Sequence, residues 1–342
     1  MSLRTTILTT DSEFDTIQDE WEQLLEDSDQ RVFFLRWHWN RAWWRSLAPP
    51  RSQLLLVTSR DGTGRLVGLS PMYLREQRHF GFLRMREVCF LGTGTQVRTS
   101  EYVDVIARRG YEIAVAEAVA ACLRERGGWD RLWCWCVPLD SAVLEHLRAQ
   151  LGCRCAVTAC DEAHLVDTSG SWAHTTASIP RGVDRRLRRM LGRDTSKAVR
   201  VQCLEELRPA LDSLVALHEK RWRAKGQPGS LASPRCQAFL REVAHGSFER
   251  GQLGLWSLHE NNRAVAALIA FVDFGTAHYF QSGFEPHSRW SLGQIMIGVA
   301  VRDCVTADGI DRFDLMSGPA PYKADWSSTR RRTLELDRGS AS

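Results

Sequence analysis

The sequence has no apolar run near the ~20 residues that cross a bilayer; the longest, around 295–301, is far shorter. A spanning helix is therefore not expected. The opening stretch, MSLRTTILTTDSEFDT, reaches acidic residues almost at once and has no leader-type apolar segment, so the expectation is a cytoplasmic protein. Charge of one sign is also scarce: 45 Lys+Arg stand against 41 Asp+Glu, a formal net of +4. So small an excess argues for nucleic-acid binding only through local clustering. Short-period repeats and low-complexity tracts are missing, which excludes fibrous and disordered classes. The ten cysteines include Cys134/Cys136 and Cys153/Cys155, but C-x-C is not the usual zinc spacing. In Leu132-Trp-Cys-Trp-Cys-Val137 the pattern reads as a strand of small buried side chains, so no metal is expected.

What is present is the composition of an ordinary globular protein, 44% hydrophobic and 25% charged, with thirteen tryptophans, four of them Trp37, Trp39, Trp43 and Trp44. A length of 342 residues suits two domains. One cycle of elements is traversed twice. Helical spacing covers 12–27 and 36–47. Strands at 53–59 and 65–74 flank the turn Asp61-Gly-Thr-Gly64. A strand at 84–91, a helix at 112–126 ending at Gly127-Gly128 and a strand at 131–137 follow. The second cycle has a basic helix at 181–196, a strand at 199–203 and helices at 207–224 and 234–250. Strands at 252–259, 264–273 and 276–283, an apolar helix from Ser291 to Thr306 and a strand at 312–316 complete it. The Ser/Thr/Gly-rich stretch 167–171 is the expected boundary, giving domains 1–168 and 169–342 in a mixed α+β fold.

Chemistry concentrates in two stretches. The first is Gly283-Phe-Glu-Pro-His-Ser-Arg-Trp-Ser-Leu-Gly-Gln294, which leads into the apolar helix. The first amides of a helix lack intrahelical acceptors and carry partial positive charge, a natural rest for a phosphate. Ser291 reads as the N-cap, Gly293 lets a ligand approach the backbone, and Arg289 adds a full charge. The second is Phe313-Asp-Leu-Met-Ser-Gly318, followed by Tyr322, Lys323 and Trp326 in a loop at a strand end. Tyr322 and Trp326 read equally as aromatic caps on the core, and Lys323 as a surface lysine.

Together with the stretches Phe33-Phe34…Trp43-Trp44, Ser100-Glu-Tyr-Val-Asp104, Arg185-Arg-Leu-Arg-Arg189, Leu217-His-Glu-Lys-Arg-Trp222 and Tyr279-Phe-Gln-Ser-Gly283, these segments resemble the CelD/BcsL-type acetyltransferases. Those belong to the GNAT superfamily and are related to the Fem transferases of peptidoglycan biosynthesis. The resemblance implies two tandem GNAT-like domains, each a mostly antiparallel twisted sheet flanked by helices, and acyl transfer to an amine. By position it assigns the pyrophosphate of an acyl-CoA donor to Arg289, Ser291, Leu292, Gly293 and Gln294. The superfamily's usual Arg/Gln-x-x-Gly-x-Gly/Ala loop is not met: Arg289 and Gly293 stand four apart, and Ile295 takes the second small position.

Acyl transfer requires a proton acceptor and stabilisation of an oxyanion. The expected catalytic set is Lys323 for the developing charge, Tyr322 as hydrogen-bond donor or general acid, and Asp314 as base, with Glu285 and His287 as other candidate bases. Asp314 reads equally as a structural acceptor. Phe284, Glu285 and Trp326 are expected to line the substrate site. Between Arg181 and Arg200 eight basic residues meet two acidic ones, and Arg185 and Arg189 are candidates for contact with an RNA or other anionic partner; a solvated helix face is the alternative. His218 reads as a core residue. Three functions stay open: an acyl-CoA-dependent N-acyltransferase on a small amine or amino sugar, a Fem-like transferase using aminoacyl-tRNA, and a non-catalytic GNAT-like binding protein.

Overall fold

The turn at 61–64 closes as its residues dictate. Asp61 Oδ1 accepts from Thr63 N at 2.9 Å and Arg65 N at 3.2 Å, while Gly64 takes φ 88°, a conformation that suits a residue without Cβ. The computed structural model that contains this hairpin describes residues 3–79, 83–95, 97, 99–151, 156–318, 322–327 and 329–339. Its first elements are β1 (Arg4–Leu8), α1 (Asp11–Thr16), α2 (Gln18–Glu26), α3 (Trp37–Leu47), β2 (Gln53–Arg60), β3 (Leu66–His79), β4 (Leu83–Phe90), β5 (Ile106–Ala107), α4 (Glu112–Arg126), β6 (Arg131–Pro138) and α5 (Ala142–Leu151). Then come β7 (Ala156–Asp167), α6 (Trp172–Ser178), α7 (Val183–Leu191), β8 (Ser196–Arg200), α8 (Leu204–Arg223), α9 (Pro234–Glu249), β9 (Leu253–Glu260), β10 (Arg263–Asp273), β11 (Thr276–Phe284), α10 (Leu292–Thr306), β12 (Arg312–Asp314), α11 (Tyr322–Trp326) and β13 (Arg330–Gly339).

The fold is mixed α+β, in two units: Met1–Asp161 with Arg332–Ser342, and Glu162–Arg331. Unit 1 has strand order β1-β2-β3-β4-β6-β13, antiparallel except for the parallel pair β4/β6. Unit 2 has β8-β9-β10-β11-β12-β7 with the same pattern, β11/β12 being its parallel pair. The repeated cycle of the sequence is thus a repeated sheet. The boundary expected between 168 and 169 lies just after β7, which is the sixth strand of unit 2, while the sixth strand of unit 1, β13, comes from the far end of the sequence. β7 pairs β12 through Val166↔Phe313, whereas β13 pairs β6 from Thr333↔Pro138 to Gly339↔Arg131.

Local chemistry sets several boundaries. The helix expected at 12–27 is two helices, broken at Ile17 with φ −96° and ψ 7°. The basic helix stops at Leu191, short of 196, where Gly192 ends it, and residues 196–200 form the strand expected at 199–203. Gly127 and Gly128, both at positive φ, end α4. Cys134 and Cys136 are buried in β6, and Cys153 and Cys155 lie outside the described residues.

Helix α10 is apolar on nearly every side and buried from Ile295 to Val301, packed among Val183, Leu187 and Met190 of α7 and Leu258, Leu268 and Phe313 of the sheet. It leads from β11 to β12, which pair only at Thr276↔Arg312, Ala277↔Phe313 and His278↔Asp314. Beyond that the two strands part. Helix α8 crosses β11 closely enough that a Cβ at Gly283 would lie 2.2 Å from His218 N and 2.5 Å from Leu217 C. Both are backbone atoms, so Gly283→Ala must push α8 off the sheet. The expected cost is about 3 kcal/mol of unit 2 stability, measured by urea unfolding; a midpoint equal to wild type would contradict this packing.

Candidate functional site

A cavity of ≈ 230 Å³ opens where β11 leaves β12, between the start of α10, Tyr322 and the end of α8. One irregularity in β11 shapes it. Opposite Ile269 and Ala270 of β10, the register passes from Gln281 to Tyr279 and skips Phe280. Such a bulge breaks the two-residue alternation of a strand, so Tyr279, Ser282 and Phe284 all reach the cavity. Phe280 turns instead onto Phe271, with centroids 5.4 Å apart.

Ser291, Leu292, Gly293 and Gln294 form the opposite wall. Ser291 occupies the cap position, but its side chain makes no capping bond. Among the described residues the amides of Gly293 and Gln294 have no backbone acceptor, the first bonds here being Leu292 N to Trp290 O at 2.8 Å and Ile295 N to Ser291 O at 3.0 Å. This end is therefore uncapped and faces the cavity. Gly293 lies so close to the Phe284 ring that a Cβ would be 2.9 Å from its Cε1. The Gln294 side chain is fixed from behind by Trp326, whose Nε1 donates to Oε1 at 2.8 Å. Arg289 is exposed and stacks on Trp290, where Arg189 and Arg193 of the basic segment also meet the ring at 5.4, 5.5 and 5.8 Å, respectively.

The expected catalytic residues separate. Tyr322 lines the cavity. Burial, then the neighbouring Tyr279, holds its hydroxyl well above the ordinary 10.0, so it stays protonated. Lys323 is absent from the lining: it is 7% exposed, and Nζ donates to the carbonyls of Met316 at 3.1 Å and Ser317 at 2.5 Å. It ties down the loop after β12 rather than facing a substrate. Asp314 is fully buried, accepts from Met316 N at 2.7 Å and stands 3.7 Å from His278 Nδ1. It, too, braces the strand end. Trp326 is fully buried beneath α10. Glu285 lines the cavity with Phe284, but Lys220 at 2.8 Å and Arg263 at 3.0 Å hold its carboxylate. Arg185 and His287 are exposed. His218 is buried, as expected, and is pushed down to about 4, first by burial and then by Arg221.

Sequence reasoning missed the polar group opposite the α10 amides. Arg221 Nη1 donates to Ser282 Oγ at 3.2 Å, and Ser282 Oγ is 2.5 Å from the Tyr279 hydroxyl. Arg221 and Tyr279–Ser282 stood in stretches already singled out for their resemblance. An arginine in the last turn of a helix, however, reads first as a solvated partner of the helix dipole, and the bulge that brings Tyr279 and Ser282 to one side leaves no mark in the alternation.

The corresponding place in unit 1 is taken by the chain itself. β4 and β6 pair only at Glu87↔Arg131 and Val88↔Leu132. Farther along, β6 accepts from the buried segment 99–104 through Tyr102 N to Cys136 O at 2.8 Å, and Trp39 Nε1 donates to Ser100 Oγ at 2.8 Å. Among the described residues no group of three or more His, Cys, Asp or Glu is placed to hold a metal, and no helix is long and apolar enough to cross a membrane.

Residues 181–324, which include both walls of the cavity and Tyr322, match the acetyltransferase (GNAT) domain family. No curated protein matches the sequence. Among solved structures the chain is similar to FemX (TM-score 0.65, 9% identity, 98% of this chain and 96% of that one). It is similar also to a conserved protein of unknown function from Bacteroides thetaiotaomicron VPI-5482 (0.59, 13%, 97% and 99%) and to L-PGS from Bacillus licheniformis (0.58, 11%, 95% and 92%). At such identities the likeness is one of fold: unit 2 has the fold of GNAT N-acyltransferases.

Proposed function

We propose that the chain is an acyl-CoA-dependent N-acyltransferase whose one donor site is the cavity of unit 2. The observation that carries this is the uncapped start of α10 opening into a cavity that also holds a protonated tyrosine. The pyrophosphate rests on the amides of Gly293 and Gln294, with Arg289 beside it. The thioester then lies between the strands where β11 leaves β12. The acceptor amine attacks the thioester carbon, forming the C–N bond and a tetrahedral oxyanion. Collapse breaks the C–S bond, Tyr322 gives its proton to the departing thiolate, the ammonium formed on attack releases a proton to solvent, and Tyr322 takes one back from solvent, which restores the phenol. Lys323 and Asp314 act through the backbone, holding the loop that delivers Tyr322.

The test is thermal unfolding with acetyl-CoA. At a hundred times Kd a ligand of the folded state adds about 2.7 kcal/mol, so a rise of several degrees in Tm is expected, and Gly293→Val, which fills the space before Phe284, should abolish it. No shift at millimolar acetyl-CoA and no CoA release with any amine would sink the reading.

A second reading, aminoacyl-tRNA as donor, is favoured by one observation: Arg189 and Arg193 meet Arg289 on Trp290 at the cavity's edge. It requires binding of charged tRNA that weakens steeply with salt and with Arg185→Glu and Arg189→Glu.

A further inference from the structure

Arg221 is a half-buried cation to which no described residue of unit 2 gives an anion. Its hydrogen-bond partners are neutral: Nη1 donates to Ser282 Oγ at 3.2 Å and, weakly, to Ser282 O at 3.5 Å, and Nε is buried without an acceptor. The guanidinium lies 4.7 Å from the centroid of the Phe284 ring and 5.7 Å from that of Trp222. Two aromatic contacts fix its plane while supplying only part of the stabilisation that lost water would have given. The surroundings offer no compensation. Glu285, the carboxylate among the cavity residues, belongs to Lys220 and Arg263, and His218 is neutral near pH 7. Other arginines of this unit, Arg193, Arg200 and Arg330, have carboxylate partners within 3.0 Å.

We propose that Arg221 receives a carboxylate carried by one of the two reacting substrates, so that the acceptor is an amino-acid-like amine or the acyl group is an ω-carboxyacyl chain. The proposal rests on the acyltransferase reading of the same cavity. A charged fork held in one plane, with donors left over, is matched by a planar carboxylate that takes two parallel N–H···O bonds. The donor's phosphates have their own place across the cavity, at the amides of Gly293 and Gln294. A space of ≈ 230 Å³ is below the usual range for drug-sized ligands, and fits the reacting end of a substrate rather than a second nucleotide. Tyr322 lies between these two anion positions in function: it serves the bond being broken, while Arg221 fixes the end of the substrate that does not react.

The experiment measures binding by tryptophan fluorescence and thermal shift on the full chain, with and without saturating CoA. One arm compares 3-aminopropanoate and propanoate with 3-aminopropanamide and propanamide; the other compares succinyl-CoA with butanoyl-CoA. A preference of tenfold or more for the charged member is expected in one arm, and which arm it is names the substrate that carries the carboxylate. Arg221→Met, which keeps most of the stem, should erase that preference and leave the shift by CoA alone unchanged; Arg221→Lys should keep part of it. Wild-type protein that favours the charged member in neither arm overturns the proposal, as does an Arg221→Met variant that retains the preference. Failure of CoA itself to bind speaks against the donor reading alone, since the first arm is also read without CoA.

Discussion

Tyr322→Phe should lower kcat by about 10²–10⁴-fold, the usual worth of a positioned general acid, and leave the acyl-CoA KM within about threefold. The change removes one oxygen from a side chain whose ring remains against the same neighbours, so the fold and the α10 amides stay as they are. What disappears is the proton for the leaving thiolate. The hydroxyl's pKa lies above its ordinary 10.0 because burial disfavours the phenolate and Tyr279 stands beside it. The sign of that shift matters: a raised value keeps the acid form present through neutral and mildly alkaline solution. The kcat of the wild type should therefore show no loss from Tyr322 between pH 7 and about pH 9.5. Steady-state kinetics and a pH profile check both points. A Tyr322→Phe enzyme with wild-type kcat would reduce the tyrosine to a packing residue, and a kcat falling from pH 8 would mean that another group is the acid.

The parts of this site that are legible in sequence are those determined by near neighbours along the chain. The apolar helix after Ser291, the small residue at Gly293 and the turn signals around the strands each follow from residues a few positions apart, and they locate the cavity's α10 wall. Side-chain direction is different. Lys323 and Tyr322 are adjacent, yet one faces the cavity and the other the carbonyls of Met316 and Ser317, because a short helix at 322–326 turns successive residues about 100° apart. In an irregular loop, as the sequence suggested there, both would serve one site. Arg221 is hidden for a related reason. Its neighbours Lys220 and Arg223 are exposed, as a helix end should be, and only the crossing of α8 over Gly283 carries the intervening arginine against β11. The last strand was missed because Arg330-Arg-Arg-Thr-Leu-Glu-Leu-Asp-Arg-Gly339 is dominated by charge. Its alternation becomes meaningful only beside β6, nearly two hundred residues earlier, where its Asp337 meets Arg131 at 2.6 Å.

That pairing is half of a buried ion network on which unit 1 should depend strongly. Glu87 of β4 has no exposed surface. One of its oxygens accepts from Arg75 Nε at 3.0 Å and Nη2 at 2.7 Å, and the other from Arg131 Nη1 at 2.8 Å. Both guanidiniums also meet the Trp133 ring, at 5.2 and 5.3 Å. Glu87↔Arg131 is one of the two parallel pairs that join β4 to β6, so the network sits where the sheet is narrowest in hydrogen bonds. Glu87→Ala takes this carboxylate from Arg75, whose side chain is 10% exposed, while Arg131, 18% exposed, keeps Asp337. Breaking one partner of a buried ionic pair costs about 3–5 kcal/mol, more than the intact pair contributes over a hydrophobic substitute, because the remaining charge keeps its desolvation penalty. Glu87→Gln, which retains an acceptor and loses the charge, should cost less than Glu87→Ala. Combining Glu87→Leu with Arg75→Met should recover part of the loss, since that removes a stranded cation along with its partner. Urea unfolding followed by circular dichroism and total tryptophan fluorescence separates these cases. Equal midpoints for wild type and Glu87→Ala would show that the parallel join of β4 and β6 is held by its apolar flanks alone.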